Sequence, residues 1–312
     1  MPLVSVIMTT LNSARFVAEA VRSILDQTFR NWEMFVVDGG SSDDTMKILR
    51  NIKDSRIHIY ERAGLQRSAQ LNYGFSFVSS PYIAIMDSDD IAIPERLKIQ
   101  YEYLEQYDNI TIVGSWGERI TEDGKYLGLM KTPRQHDAIL ETLITPNLLL
   151  FSTTMFRNKL QNILFDIDIV KNVDIEWYFR ISDHAIFACI DIPLVKIRET
   201  HGSLSRKDNI INNKVLVAAF ERQYKLRLAK APSMIESYLI KVACGVVHYY
   251  YGSQSRSRWF LWQALKIHKF KLVVWRYYLP VILLPNIVFN KLRKNTFAHK
   301  ISQYCRTIIA RS

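Results

Sequence analysis

Cysteine and glycine are scarce in this sequence, and their scarcity excludes two kinds of site. The chain of 312 residues has 3 cysteines, Cys189, Cys244 and Cys305, which are far apart and form no CxxC pair. Neither a disulfide framework nor a cysteine-based zinc site is predicted, and a reducing, cytosolic compartment is favoured. None of the 11 glycines belongs to a GxGxxG fingerprint, so the sequence gives little support to dinucleotide binding.

A leader peptide and a clear membrane-spanning run are also missing. The amino terminus leads directly into a strand-like segment, residues 3–8, so we expect the catalytic part to stay inside the cell. The most apolar segment, residues 272–289, is interrupted by Arg276, Pro280 and Pro285, whereas a spanning helix needs about 20 predominantly apolar residues. We predict that this segment lies in the membrane interface, with a buried helix pair as the alternative.

Carboxylate side chains are rare in the last third of the chain. Residues 1–200 contain 21 Lys+Arg and 27 Asp+Glu, a net charge of −6. Residues 201–312 contain 20 Lys+Arg and 3 Asp+Glu, a net charge of +17. The acidic first part argues against nucleic-acid binding there, and the basic part predicts contact with a polyanion or an anionic membrane surface.

The composition is otherwise that of a globular protein, with 48% hydrophobic and 23% charged residues. Strand-like runs at residues 3–8, 32–37, 56–60 and 82–86 alternate with amphipathic helices. This alternation predicts an α/β fold whose mostly parallel sheet is covered on both faces and becomes mixed after residue 110. In such sheets, ligands bind at the carboxyl ends of the strands.

Polar side chains follow three of these strands, at residues 9–12, 38–42 and 87–90. Asp38 can accept hydrogen bonds from a uracil ring or a ribose, with a turn-capping acid as the alternative. Carboxylates one residue apart after a buried strand can aim oxygens at one Mn²⁺ or Mg²⁺ that also holds a substrate's phosphates. For the acids in 87–90, a polar loop that caps the next helix is the alternative.

Five ordered motifs within the first 205 residues resemble those of the family 2 glycosyltransferases. They are residues 4–12, 23–28, 37–41 and 82–90, together with Arg198, His201 and Ser203. The resemblance implies a GT-A fold over residues 1–205, with a Rossmann-like, nucleotide-binding mixed sheet flanked by helices. A mainly helical, basic region is expected over residues 206–312.

The resemblance also implies roles for individual residues. Asp87 and Asp89 correspond to the family's DxD element, with Asp89 as the more direct ligand of Mn²⁺ or Mg²⁺. His201 falls in a loop that can touch the metal or close over the diphosphate. Asp174 falls where the catalytic base lies, with a helix cap as the alternative. The residues implied in nucleotide binding are Thr9, Asp38, Arg67, Asp87 and Ser88.

Two departures from the family pattern bear on the base and on processivity. Val173-Asp174 stands where the family usually has Glu-Asp. The run at residues 254–259 has one residue too many for the QxxRW motif of the processive members. Together with the missing multi-span membrane region, this predicts transfer of a single sugar.

We therefore expect an inverting, metal-dependent hexosyl- or N-acetylhexosaminyltransferase that uses a UDP-sugar. The expected acceptor is a glycan or lipid-linked glycan in cell-surface polysaccharide or lipopolysaccharide biosynthesis, at the cytoplasmic face of the cell membrane. Two alternatives stay open. One is a nucleotidyltransferase that forms nucleotide sugars, and the other is a non-catalytic nucleotide-binding module tethered to the membrane.

Overall fold

The structure is a computed structural model that describes residues 1–142, 149–160, 162–170, 172–200 and 253–267, with short stretches between 217 and 249. The chain divides into two compact units, Met1–Asn212 and Asn213–Ser312. The predicted domain boundary between residues 205 and 206 and the apolar segment 272–289 both lie outside the described residues. In the described part of the chain, no helix has the length and apolar character needed to cross a membrane.

The described part of the first unit alternates strands and helices, as the sequence pattern predicted. Its strands are β1 (Val4–Thr10), β2 (Trp32–Asp38), β3 (Ile57–Glu61), β4 (Tyr82–Asp87), β5 (Ile91–Ala92), β6 (Ile112–Ile120), β7 (Tyr126–Met130), β8 (Met155–Arg157) and β9 (Phe187–Arg198). Its helices are α1 (Val17–Leu25), α2 (Thr45–Arg50), α3 (Arg67–Phe75), α4 (Arg96–Gln106), α5 (His136–Thr142) and α6 (Val173–Ile181).

These strands form one mixed sheet in the order β3-β2-β1-β4-β8-β6-β9-β5, with β7 paired to β6. The first four strands in this order are parallel, and β8 runs antiparallel to both β4 and β6. The order changes direction between β1 and β4. Ligands of α/β sheets bind at such a switch point. The register sets Thr10 beside Asp38 and Thr9 beside Asp87, so the polar strand ends share one edge.

Both faces of the parallel strands are buried. On one face, Val6 and Met8 of β1 belong to a core cluster with Val21 and Ile24 of α1. Each such side chain contributes about 1.5–3 kcal/mol when it is fully buried. On the other face α3 lies very close to β1, since a Cβ at Gly74 would be 2.9 Å from Ile7 Cγ2.

The apolar residues that lead into β8 do not all join the sheet. Only Met155–Arg157 is a strand, and a 3-10 turn at Phe151–Thr153 precedes it. The hydroxyl of Thr153 donates to the Leu150 carbonyl at 2.7 Å, and that of Thr154 to the Phe151 carbonyl at 2.8 Å. Local bonds of this kind compete with strand pairing, which is why the ladder begins late.

Candidate active site

Three carboxylates gather where β4 ends. One oxygen from each of Asp87, Asp89 and Asp90 lies within 4.8 Å of the others. The turn is tight because the Asp90 N–H donates to the Asp87 carbonyl at 3.3 Å. Hard oxygen donors at this spacing fit Mn²⁺ or Mg²⁺, and the cluster lies at the switch point between β1 and β4.

The three acids have different surroundings. Asp90 is buried, and its two oxygens accept from the Ser152 hydroxyl and, at 2.9 Å, from the Arg198 N–H. Asp87 accepts from Arg67 Nη2 at 2.5 Å. Asp89 is partly exposed, and the hydrogen bond that its carboxylate accepts comes from its own backbone N–H. Asp89 is therefore the acid most open to an external cation, whereas Asp90 holds the loop together.

Crowding and burial favour protonation in this cluster. Burial and the neighbouring Asp87 raise the pKa of Asp89 to about 6. Burial, Asp89 and Asp87 also raise the pKa of Asp90 well above its usual value. Like charges in a desolvated site disfavour ionisation, and a bound cation would reverse that preference.

Arg67 lies among the acids. Burial opposes its charge, but the carboxylates of Asp87, Asp174, Asp89 and Asp90 outweigh burial and raise the pKa of Arg67. Its Nε is buried and has no hydrogen-bond partner among the described residues. A guanidinium with an unused donor in an acidic crevice is suited to binding a phosphate oxygen.

Asp174 lies in the first turn of α6, two positions after Asn172, whose φ of 53° is left-handed. Burial raises the pKa of Asp174, whereas Arg67 and the N–H groups of Ile175 and of Asp174 itself lower it. The contacts with backbone N–H groups resemble a helix cap. The electrostatic contact with Arg67 brings the same carboxylate to the acidic cluster.

Helix α3 connects these two parts of the site. The Asn72 side chain donates to the Phe165 carbonyl at 2.9 Å and accepts from the Phe165 N–H at 2.8 Å. Trp177 of α6 donates to the Ile163 carbonyl at 2.6 Å. The helix that carries Arg67 therefore also holds the loop that leads to Asp174.

The two carboxylates nearest to Asp174 in sequence have other surroundings. Glu176 is buried and accepts from Arg180 Nε and Nη2 at 2.8 and 2.9 Å. Asp168 is exposed. Asp174 is one of the acids that raise the pKa of Arg67, and Glu176 and Asp168 are not among those acids.

The predicted nucleotide residues Thr9, Asp38 and Ser88 lie at the same edge of the sheet. Asp38 is fully buried, and its carboxylate accepts from the N–H groups of Gly40 and Ser41, both at 2.8 Å. That geometry is the turn-capping arrangement, and contact of Asp38 with a base or ribose stays a prediction. Thr9 is partly exposed, and the Ser88 hydroxyl lies 2.8 Å from that of Ser13.

Arg198 stood in a matching motif, and the sequence assigned it no individual role. Its Nε donates to the Asp89 carbonyl at 2.9 Å, and its Nη1 to the Glu122 carbonyl at 2.6 Å. Its Nη2 pairs with Glu19 of α1 at 2.5 Å. His201 lies outside the described residues.

A sequence profile described as Glycosyl transferase family 2 matches residues 5–170, more than half of the chain. The chain belongs to glycosyl transferase family 2. An uncharacterised glycosyltransferase of Haemophilus influenzae is 33% identical over 218 residues, which are 65% of this chain and 67% of that protein. The O-antigen biosynthesis glycosyltransferase WbnJ of Escherichia coli is 33% identical over 160 residues, 50% of this chain and 61% of WbnJ.

Solved structures share the fold of this family 2 chain. The S. aureus protein TarS, residues 1–349 in complex with UDP-GlcNAc, superposes with a TM-score of 0.68 at 14% identity over 90% of both chains. The mannosyltransferase PcManGT of Pyrobaculum calidifontis, in complex with GDP-Man and Mn²⁺, gives a TM-score of 0.57 at 17% identity over 85% of this chain and 74% of PcManGT. The predicted GT-A fold is confirmed, and the protein is a glycosyltransferase.

Proposed function

We propose that the protein is an inverting glycosyltransferase that moves one sugar from a UDP-sugar to a glycan or lipid-linked glycan acceptor. The observation that carries the proposal is that Arg67 pairs with Asp87 of the acidic cluster and that the charges of Asp89 and Asp174 both act on this guanidinium. Displacement of a nucleoside diphosphate needs positive charge at the leaving group and a separate carboxylate to take a proton. The acid pair after β4 and the base candidate on α6 supply these two functions.

Mn²⁺ or Mg²⁺ is the proposed cofactor, held by Asp89 and Asp87. When bound, the ion would supply Lewis-acid stabilisation of the charge on the departing diphosphate. We propose His201 as a further contact with the ion or the diphosphate. It follows Arg198 by three positions in the sequence, and Arg198 contacts the Asp89 loop. The Mn²⁺ in the PcManGT complex supports a divalent ion in this fold.

The proposed nucleotide site lies along the carboxyl edge of β1, β2 and β4. Thr9 and Asp38 lie toward the base and ribose, and Arg67 and Ser88 toward the diphosphate. The ion pair between Asp87 and Arg67 links the base-and-ribose side of the proposed site to its diphosphate side. The choice of a UDP-sugar is supported by TarS, which has the same fold and binds UDP-GlcNAc.

Asp174 is the proposed base. Its carboxylate takes the proton of the acceptor hydroxyl while that oxygen bonds to the anomeric carbon. The bond from this carbon to the phosphate oxygen breaks, and its electron pair leaves with the nucleoside diphosphate. One direct displacement inverts the configuration. The raised pKa of Asp174 makes it a stronger base than an ordinary aspartate.

The proposed acceptor belongs to cell-surface polysaccharide or lipopolysaccharide biosynthesis, as the likeness to the O-antigen enzyme WbnJ suggests. We propose that the enzyme works at the cytoplasmic face of the cell membrane, to which the basic residues 206–312 attach it. Their net charge favours an anionic lipid surface.

A donor screen tests the proposed function. UDP-, GDP- and dTDP-sugars are incubated with the full chain and Mn²⁺, and released nucleoside diphosphate is measured with and without a glycan acceptor. We expect release from a UDP-sugar that requires the metal and accelerates with acceptor. Release of pyrophosphate from a nucleoside triphosphate and a sugar phosphate would instead identify a nucleotidyltransferase. Absence of any metal-dependent donor turnover would contradict the proposal.

A further inference from the structure

One helix of the second unit has two different faces. Helix α7 (Gln254–Ile267) packs one side into the interior of that unit. A Cβ at Gly245 would lie 2.6 Å from Leu261, and the Ser257 hydroxyl donates to the Gly245 carbonyl at 2.8 Å. The buried residues of α7 are Gln254, Ser257, Phe260, Leu261, Ala264 and Leu265.

The opposite side of α7 exposes two tryptophans between basic residues. Trp259 is 42% exposed and Trp262 is 45% exposed. Arg258 and Lys266 are exposed on the same side, since residues three or four apart are neighbours on a helix. We call these four residues the Trp face. The Lys266 ammonium lies 3.4 Å from the centroid of the Trp262 ring, so cation and indole form one surface.

Large aromatic side chains that are exposed side by side on one face of a helix mark an interaction surface more often than an ordinary solvated face. Among the described tryptophans, Trp32 and Trp177 are buried. Trp116 of the first unit is half-buried and its Nε1 donates to the Thr132 carbonyl at 3.1 Å, whereas Trp259 and Trp262 are exposed.

The charge of the surrounding chain indicates the sign of the partner. From residue 237 to the end, the sequence contains 13 Lys+Arg and no Asp or Glu. Glu221, which precedes this stretch, already binds Arg256 at 2.8 Å and His248 at 2.9 Å. The excess positive charge of this stretch of the sequence is therefore complementary to an anionic partner.

The indoles favour lipid among the anionic partners. Trp combines an apolar body with one N–H donor and is enriched where a membrane meets water. Helices with basic residues beside exposed Trp lie in that interface, and each basic residue adds to the attraction for anionic lipid. Single-stranded nucleic acid, which stacks its bases on aromatic rings, is the competing partner.

We propose that the Trp face of α7 docks on an anionic phospholipid surface, with both indoles at headgroup depth and Arg258 and Lys266 at lipid phosphates. The proposal rests on the membrane attachment in the proposed function and assigns it to a defined surface. It also makes Arg258 and Trp259 lipid contacts, at the end of the run that partly matches the QxxRW motif.

Vesicle flotation of the full chain tests the proposal. Vesicles of phosphatidylcholine alone are compared with vesicles that also contain phosphatidylglycerol. The variant Arg258→Gln/Lys266→Gln loses two charges from the Trp face and is expected to bind the anionic vesicles about 30-fold more weakly. The matched control Arg22→Gln/Lys47→Gln removes two exposed charges from the first unit and is expected to bind like the wild type.

Tryptophan fluorescence supplies a second readout. Brominated lipids quench tryptophans that enter the interface, so we expect quenching in the wild type and weaker quenching in Trp259→Phe/Trp262→Phe, in which Trp275 of the apolar segment 272–289 can still be quenched. Because phenylalanine keeps an apolar ring, this variant is expected to remain folded, and its melting temperature checks that. Unquenched wild-type fluorescence on bound vesicles would overturn the proposal.

The remaining outcomes separate the proposals. Equal vesicle binding by the wild type and by Arg258→Gln/Lys266→Gln would overturn the Trp face and leave the membrane attachment standing. Failure of the wild type to bind anionic vesicles would overturn both, without bearing on donor turnover measured in solution. Binding of single-stranded DNA that falls in the Trp-face variants while vesicle binding does not would reassign the surface to nucleic acid.

Discussion

Arg198 Nε donates to the backbone carbonyl of Asp89 at 2.9 Å, across 109 positions of sequence. The same guanidinium reaches Glu19 of α1 and the turn between β6 and β7, and the Arg198 N–H holds Asp90. Arg198, the last residue of β9, therefore fixes the backbone conformation from which the Asp89 side chain projects. A buried arginine with this many fixed acceptors acts on the site through geometry rather than by touching substrate.

Replacing Arg198 by lysine is expected to weaken metal binding. Lysine keeps the charge but cannot hold the Asp89 and Glu122 carbonyls and Glu19 in one plane. Loss of a residue that orients a metal ligand typically costs 10–100-fold in metal affinity, so the Mn²⁺ concentration for half-maximal UDP binding should rise by about that factor. UDP affinity at saturating Mn²⁺ should change little.

Arg157→Lys is the matched control for Arg198→Lys. Arg157 also donates to main-chain carbonyls, those of Leu104 and Ile110, but it ends β8 and lies beside the start of β4 rather than its end. Both variants should lower the melting temperature. If UDP binding by Arg198→Lys shows a normal dependence on Mn²⁺, Arg198 contributes to stability alone.

Asp89→Ala is expected to abolish Mn²⁺-dependent UDP binding in a protein that stays folded. Asp89 is partly exposed, so its removal does not leave a buried partner unsatisfied, and the diphosphate charge would then face Asp87 and Asp90 without compensation. Calorimetry with UDP, Mn²⁺ and EDTA measures the effect. Indifference of UDP affinity to both EDTA and the substitution would show that the metal assignment is wrong.

Mn²⁺ should stabilise the protein more at about pH 7 than at about pH 5. Burial and Asp87 raise the pKa of Asp89 to about 6 from 3.8, while Arg67 and Arg198 act in the other direction. The folded state thus binds a proton more tightly than the unfolded chain, so this group's contribution to metal-free stability is lost as pH rises from about 4 through about 6. Mn²⁺ needs the ionised carboxylate.

Melting temperatures with and without Mn²⁺ at the two pH values measure that difference. Asp89→Asn lacks the carboxylate that binds Mn²⁺, so it should lose the Mn²⁺ shift at both pH values. An equal Mn²⁺ shift at both pH values in the wild type would contradict the prediction.

Asp174→Asn separates a base from a helix cap. If Asp174 takes the acceptor proton, UDP-sugar binding should change little while transfer falls by about 10²- to 10⁴-fold. Asparagine caps helices as well as aspartate does, so a capping role alone predicts normal transfer and normal stability. Calorimetry and a transfer assay under the same conditions distinguish the two. Asp168→Asn, at an exposed position, is the control. Near-wild-type turnover in Asp174→Asn would exclude Asp174 as the base.

Sequence pattern was sufficient for the strands that form the site. The apolar run before Asp87 and the one before Asp38 are short, continuous and β-branched, and such runs are buried parallel strands when helices alternate with them. Because parallel strands end at one edge, the meeting of Thr9 and Asp87 followed from that pattern. The 3-10 turn at Phe151–Thr153 did not, since hydroxyl-to-carbonyl bonds leave no periodic signature.

The resemblance to the family marked the acid on α6. The sequence by itself determined other residues that can carry chemistry, the acids after β4 and the excess of basic residues near the C-terminus. It did so because residue type and local period report burial and charge. Only the tertiary structure decided how these acids divide their roles. Asp90 is buried and both of its oxygens accept hydrogen bonds, whereas Asp89 is partly exposed. Arg198 and Arg67 come from distant segments to contact the β4 loop and Asp87. Such contacts depend on how β9 and α3 pack against the β4 loop, and no local pattern encodes that packing.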